Sequence, residues 1–445
     1  MTNELFDFTQ ILKKRKASNY YPRIADSILL DKLNTFGAVC IVGPKWCGKT
    51  RTAEQFASSA LYLQDPSIME SIMMFGDTNP NRLLDGAKPR LLDEWQIVPK
   101  LWDAVRFAID TENDSNQYIL TGSTVVDMSK IMHSGAGRIA RMTMRPMSLF
   151  ESAESSGCIS LSSLFQNHNQ DILGVSYLDI EQLACATVRG GWPFAVLKSK
   201  STKFRVAKEY IDTIVNSEIF SITNLNIKKD KFLTLLKSLA RNVSTQASIT
   251  TLSKDSQLIS SSWAAIDTTN TYLDILNKLC ITEDLTAWSP HIRSKTAIRT
   301  APTRHFTDPS IPTALLDLSE KSLLTDFETF GLIFEDLCIR DLRVYVDSIG
   351  GNVYHYRDKN NLEVDAIIHL NNGNWAGVEI KMGSTEIDKA AINLKRLRDT
   401  IDNSKMQAPS FLMVLTATNT AYRRPDGVYV VPIGCLKNSN LLGYT

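Results

Sequence analysis

Eight consecutive residues constrain this chain more than any other stretch. Gly43-Pro44-Lys45-Trp46-Cys47-Gly48-Lys49-Thr50 match the spacing G-x-x-x-x-G-K-[ST] at every fixed position. Glycines let successive backbone N–H groups turn inward around phosphate oxygens, and a helix starting at the loop's end adds its positive N-terminus. Such a loop functions between a strand and a helix. Ala38-Val39-Cys40-Ile41-Val42 reads as a buried strand, and a helix is predicted from about Lys49. Lys49 is then placed to reach the β- and γ-phosphates of ATP, and the Thr50 hydroxyl to coordinate Mg²⁺. Gly43 to Gly48, with Arg51 at the exit, complete the candidate nucleotide contacts.

The flanking pattern predicts an α/β fold. Ala60-Leu61-Tyr62-Leu63, Arg90-Leu91-Leu92-Asp93-Glu94 and Gln117 to Ser123 read as further strands separated by helical stretches. That alternation implies a parallel sheet with helices on both faces. Asp93 and Glu94 fall at the C-terminal end of an apolar strand, where ligands collect in open α/β sheets. Asp93 is the candidate holder of Mg²⁺ through water, and Glu94 the candidate for polarising the attacking water. Ser123, with Thr121 beside it, offers a hydroxyl in a position to sense the γ-phosphate. Arg138 and Arg141 follow in a segment with Gly135 and Gly137. An arginine there suits a finger on a neighbouring subunit's nucleotide, which requires a homo-oligomer, or is a plain surface residue.

Composition narrows the remaining classes. The chain is 43% hydrophobic and 22% charged, an ordinary globular profile, and 445 residues predict two to four domains. A net charge of +1 supplies no global field toward nucleic acid or anionic lipid, so contact with DNA has to come from local patches. The seven cysteines contain no C-x-x-C pair, which supports neither zinc nor a disulfide framework. No apolar run approaches the roughly 18 residues of a spanning helix, and no signal peptide is evident. The default expectation is a cytoplasmic protein with no membrane partner.

The last third poses a second chemical question. Asp365 and Glu379-x-Lys381 have the form of a PD-(D/E)XK nuclease core, with Glu335 on a preceding helix as a fourth member. In that chemistry two carboxylates, here Asp365 and Glu379, hold Mg²⁺ against a phosphodiester while the lysine orients water. Glu379 and Lys381 share a strand face. Whether Asp365 joins them depends on hairpin register. A two-residue Asn372-Gly373 loop opposes Asp365 to Ile380, whereas a three-residue Asn371-Asn372-Gly373 loop opposes it to Glu379. The second puts Gly373 where a left-handed residue is needed and is the predicted turn. E-x-K on a strand is also a common solvent-face pattern, and Val364 stands where the named motif has proline.

Other stretches carry weaker signals. Residues 151–180 are rich in Ser and Asn and read as a surface excursion or domain boundary. Helical periodicity dominates from Ile180 to about Asp284, followed by a strand-turn-strand to about Phe306, an arrangement that suggests a winged helix. Arg293, Lys295, Arg299 and Arg304 form an acid-free basic stretch suited to phosphates, or else pair with carboxylates. Gly190-Gly191-Trp192-Pro193 reads as a rigid inter-domain turn.

The chain resembles a family of prokaryotic AAA-type ATPases with a C-terminal winged-helix and nuclease-like region. The resemblance is carried by Gly43 to Thr50, Leu92-Asp93-Glu94-Trp95-Gln96, Leu120-Thr121-Gly122-Ser123, Ala136-Gly137-Arg138, Arg145-Pro146-Met147-Ser148-Leu149, Gly190 to Pro193, Arg293-Ser294-Lys295, Phe334-Glu335, Glu363-Val364-Asp365 and Glu379-Ile380-Lys381. It implies ATP binding and hydrolysis without fixing what hydrolysis drives. Three parts are expected: an AAA-type ATPase core over 1–180, a helical and winged-helix region over 181–320, and a small restriction-endonuclease-like α/β domain over 321–445. Two functions follow. In one, the nucleotide state controls a DNA-binding or cleaving module; in the other, it governs a non-catalytic switch that binds a protein partner. Basic surface joining Arg293 to Lys381 favours the first, and a salt bridge from Lys381 that closes the pocket favours the second.

Overall fold

The computed structural model describes residues 8–122, 134–167, 170–198, 204–219, 228–259, 266–290, 300–402 and 404–438. They form two compact units, one of residues up to Arg145 together with Lys278–Cys280, the other from Pro146 onward.

In the first unit α1 (Thr9–Lys16) and α2 (Ile24–Thr35) precede β1 (Ala38–Val42). Then follow α3 (Lys49–Phe56), β2 (Ser59–Tyr62), α4 (Met69–Thr78), β3 (Arg90–Asp93), α5 (Lys100–Glu112), β4 (Tyr118–Thr121) and β5 (Ile139–Thr143). The five strands form one sheet in the order β2-β3-β4-β1-β5, with every neighbouring pair parallel. Parallel pairing needs crossovers that cover both faces, so β1 to β4 are buried without alternation, whereas the edge strand β5 keeps Arg141 and Thr143 exposed. Val39, Cys40, Ile41, Leu91, Leu92, Ile119 and Leu120 are all buried. Helix α5 shows the other period: Leu101, Trp102, Val105 and Ile109 make its buried stripe, and left-handed Asn113 ends it. The strand order sets the site, because β4 stands between β1 and β3. Register places Ile41, Thr121 and Asp93 in one row at the C-terminal ends of the three strands.

In the second unit the main elements are β6 (Ile159–Ser160), β7 (Leu173–Val175), α6 (Ile180–Arg189), α7 (Lys229–Arg241), α8 (Ile249–Ile259), α9 (Ile266–Lys278) and α10 (Phe327–Asp347). They continue with β8 (Gly351–Arg357), β9 (Glu363–Leu370), β10 (Trp375–Lys381), α11 (Ile387–Thr400), β11 (Phe411–Thr416), β12 (Thr420–Arg423), β13 (Tyr429–Pro432) and β14 (Leu436–Lys437). A seven-stranded mixed sheet runs β7-β12-β13-β11-β10-β9-β8, and β14 pairs with β6. Ala390, Ala391, Leu394 and Leu397 of α11 pack with Ile367, Leu412 and Val414 of the sheet.

Three findings differ from the sequence reading. The break falls after Arg145 rather than near residue 180. The Ser/Asn-rich stretch is not a surface excursion: β7 adds to the edge of the C-terminal sheet, and β6 pairs with β14. Strands this short show no alternation, and their partners lie at the far end of the chain. Among the described residues, the ribbon after α9 shows two antiparallel bridges, Thr282 with Phe306 and Leu285 with Thr303, in place of continuous strands. Its central residues 291–299 lie outside the described residues.

Gly190-Gly191-Trp192-Pro193 lies within the second unit, at a buried ionic network. Asp308 accepts from Gly191 N at 2.8 Å and from Arg340 at 3.0 Å. Arg340 also donates twice to Asp341 Oδ1, and Asp341 Oδ2 accepts from Leu149 N at 2.9 Å. Gly190 has φ 75°, and a Cβ there would stand 2.2 Å from Asp308 Oδ1. Replacing Asp308 with Ala strands the buried guanidinium on one partner, an effect of about 3–5 kcal/mol. Urea unfolding of Asp308→Ala is therefore expected at a clearly lower midpoint. Lys208→Ala, which breaks the exposed Lys208–Asp317 pair, shifts stability by less than about 1 kcal/mol. Equal midpoints for the two variants would refute the assignment of this network as the unit's anchor.

Candidate functional site

The loop after β1 has the backbone that its sequence demands. Gly43 (φ 151°), Trp46 (φ 66°) and Gly48 (φ 107°) all have positive φ. A Cβ on Gly43 would sit 2.1 Å from Met144 O, so only glycine fits. Lys49 is buried at the start of α3, and its ammonium donates to Gly43 O at 2.9 Å and Pro44 O at 2.8 Å.

Asp93 gathers the polar groups around it. Its Oδ1 accepts from Thr50 Oγ1 at 2.7 Å and Thr121 Oγ1 at 2.5 Å, and its Oδ2 from Gln64 Nε2 at 2.7 Å. The carboxylate is fully buried, yet all three donors are neutral and no cation pairs with it among the described residues. A buried charge in that state calls for a cation. Thr50 and Asp93 supply the hard oxygen donors that suit Mg²⁺, so the residues present fit the ion. Glu94 leaves β3 in a left-handed conformation (φ 57°), half-buried, and its carboxylate accepts from Gln96 Nε2.

The remaining expectations for this unit fall differently. Ser123 lies outside the described residues. The Arg51 guanidinium donates to Glu54 Oε2, Arg15 O and Ser18 Oγ, so it is engaged by its own helix and the segment before β1. Arg138 pairs with Asp110 at 2.7 Å. It precedes β5, whose register with β1 puts it level with Gly37, at the end of the sheet opposite the loop and six residues, or about 20 Å, from the level of Gly43. Arg138 therefore does not serve its own chain's nucleotide site. Gln64, which no motif marks, and Gln96 both follow C-terminal strand ends, where ligands collect in open α/β sheets, and brace Asp93 and Glu94.

In the second unit the hairpin turn is the predicted three-residue one. Trp375 opposes His369 and Val378 opposes Ala366, so one step further Asp365 stands opposite Glu379. Gly373 has φ 90°. The strands bring Asp365, Glu379 and Lys381 together: Lys381 Nζ lies 2.9 Å from Asp365 Oδ2 and 2.8 Å from Glu379 Oε2. Ile380 N donates to Asp365 Oδ2, and Asn393 of α11 to Glu379 Oε1. Asn393 carried no local signal, since only the packing of α11 on the sheet brings it there.

Burial raises the Glu379 carboxyl to about 7, with the Asp365 charge adding and Lys381 opposing. Burial and the same Asp365 charge push Glu335 well above the carboxylate range. Burial alone would lower Lys381, but Asp365 and Glu379 hold it above the usual lysine range. Glu335 and Asp365 line a polar cavity of about 280 Å³ with Ser244, Thr245, His355 and Arg357. Among the described residues no group of three or more His, Cys, Asp or Glu is arranged to hold a metal ion. The carboxylates expected to hold Mg²⁺ instead share the Lys381 ammonium, and this arrangement does not fit an open metal cradle. Of the basic stretch, Arg304 is buried and taken by Asp284 and Ala247 O, which removes it from phosphate contact. Arg293, Lys295 and Arg299 lie outside the described residues.

Comparison with known proteins finds an AAA-type domain in the first unit. Residues 35–153 match the family described as AAA domain. Residues 180–322 and 330–436 match two domains of unknown function, DUF8612 and DUF4143. No curated protein matches the chain significantly. Among solved structures, a Walker-type ATPase of Pyrococcus abyssi is similar at 14% identity over 67% of this chain and 96% of that one, with a TM-score of 0.42. AMPPCP-bound DnaA from Aquifex aeolicus is similar at 13% identity over 59% and 89%, TM-score 0.23. The Thermotoga maritima RuvB Holliday junction branch migration motor is similar at 16% over 62% and 90%, TM-score 0.25. With TM-scores this low, the assignment rests on the family match, the loop and the strand order. No described helix is long and apolar enough to cross a membrane.

The raised Glu379 pKa has a consequence for stability. Between the ordinary glutamate value and about 7 the folded state binds more protons than the unfolded one, so stability falls as pH rises through that window. The contribution is complete below the unfolded pKa. Thermal unfolding measured from pH 4.5 to 8 is expected to show this decline, and Glu379→Gln to flatten it. An unchanged slope in the variant would count against the buried, shifted carboxyl.

Proposed function

We propose that this chain, whose residues 35–153 form an AAA domain, binds ATP with Mg²⁺ and hydrolyses it at the loop from Gly43 to Thr50. The observation that carries the reading is the 2.7 Å contact between Thr50 Oγ1 and Asp93 Oδ1, which joins the two sequence motifs at one point. The loop amides cradle the phosphates, and Lys49 moves from the loop carbonyls to the β- and γ-phosphates. Thr50 and Asp93 are the residues that would hold Mg²⁺, which would neutralise phosphate charge there. Glu94, braced by Gln96, polarises the attacking water. Ser123 senses the γ-phosphate, and Arg138 acts on the nucleotide of a neighbouring copy. In a phosphate-release assay, Lys49→Ala and Glu94→Gln are each expected to lower turnover about 100-fold or more. Turnover that survives both would refute the site.

We infer further that the nucleotide state controls the second unit. Two outputs are open to it. The common face of Asp365, Glu379 and Lys381 supports a DNA-binding or cleaving module. The Lys381 ammonium bridging both carboxylates favours the other output, a non-catalytic switch that engages a protein partner, and so does the engagement of Arg304 by Asp284. Incubation of linear, supercoiled and single-stranded DNA with Mg²⁺ or Mn²⁺, with and without ATP, separates them. The switch predicts no cleavage by protein that turns over ATP. Cleavage lost in Asp365→Ala would establish the nuclease instead.

A further inference from the structure

The segment before β1 is wired into the nucleotide loop. Arg23 begins α2 and is almost completely buried. Its Nη1 donates to Cys47 O at 2.9 Å and its Nη2 to Arg145 O at 2.9 Å. The Arg23 N–H donates to Asp26 Oδ2 at 2.8 Å. Tyr20 donates to Asp26 Oδ1 at 2.6 Å and touches Thr52 Oγ1 at 2.8 Å. Arg15 pairs with Glu54, a fully buried carboxylate on α3. Tyr20, Arg23 and Arg15 thus hold both the loop and the helix that follows it.

The contact with Cys47 O has a directional consequence. Cys47 C=O and Gly48 N–H belong to one planar trans peptide and point to opposite sides. A guanidinium that draws the carbonyl outward therefore turns the Gly48 N–H inward, toward the space where phosphate oxygens are cradled. It also polarises the peptide, which strengthens that N–H as a donor. Gly48 (φ 107°) tolerates the orientation because it has no Cβ. The second prong, on Arg145 O, keeps the fork from rotating and ties the loop to the chain just beyond β5.

We propose that Arg23 is a positioning residue of the nucleotide site, aiming the Gly48 amide at the phosphates through Cys47 O. The proposal rests on the reading of Gly43 to Thr50 as the nucleotide loop. It assigns Arg23 to binding, which is the same in ground and transition states, rather than to the chemical step.

The test is titration of the full chain with fluorescent mant-ATP and mant-ADP in Mg²⁺, together with steady-state ATPase kinetics. Wild type, Arg23→Ala, Arg23→Lys and Lys49→Ala are compared. Arg23→Ala is expected to weaken both nucleotides by about tenfold and by the same factor, with KM raised and kcat little changed. Arg23→Lys, which can reach one carbonyl but not both, is expected to fall between, and it serves as the decisive variant if Arg23→Ala does not fold. A merely structural arginine would lower the amplitude of binding and the apparent kcat without moving either Kd. That result, or wild-type Kd values in both variants while Lys49→Ala loses binding, overturns the role of Arg23 alone. Nucleotide binding unaffected by Lys49→Ala overturns the loop assignment, and the proposal with it.

Discussion

The first unit is organised around one buried carboxylate. Asp93 sits at the end of β3 in the row shared with Thr121 and Ile41, and receives hydrogen bonds from Thr50, Thr121 and Gln64. Three neutral donors align the group without neutralising it, which leaves it suited to an added cation. The strand order makes this possible. With β4 between β1 and β3, the nucleotide loop and the carboxylate face each other across one intervening strand, and Thr121 fills the gap.

The second carboxylate site solves the same electrostatic problem differently. Asp365 and Glu379 are brought onto one face by a three-residue turn, and their charge is met by the Lys381 ammonium from the same strand as Glu379. Glu335 lines a polar cavity with Asp365 and Glu363. Burial above all, with the Asp365 charge adding to it and the Lys381 ammonium opposing, gives the upward shifts of Glu379 and Glu335. The internal lysine meets the carboxylate charge from within the chain, whereas among the described residues no cation pairs with Asp93, and this contrast separates the two sites chemically.

The scaffold of the second unit depends on contacts far apart in sequence. Asp308, Arg340 and Asp341 tie Leu149 and Gly191 to α10. Pairing of β7 with β12 and of β6 with β14 brings in residues that precede the helical region. Residues 146–180 belong with the C-terminal sheet for this reason, although the match to the AAA domain runs on to residue 153.

Local chemistry made part of this legible beforehand. The glycine spacing of Gly43 to Thr50 dictates a loop between strand and helix, because no other backbone supplies inward N–H groups and a following helix N-terminus. Continuous apolar runs dictate parallel strands, and Gly373 dictates the turn that sets Asp365 opposite Glu379. All of these act within a few residues. Tertiary structure alone decided that Gln64 and Thr121 join Asp93, that Arg138 lies at the far edge of the sheet, that Arg304 is buried on Asp284, and that Arg23 reaches Cys47 O. Each is a contact between side chains and backbone brought together by strand order and packing, and a chain read in one dimension carries no distance between them.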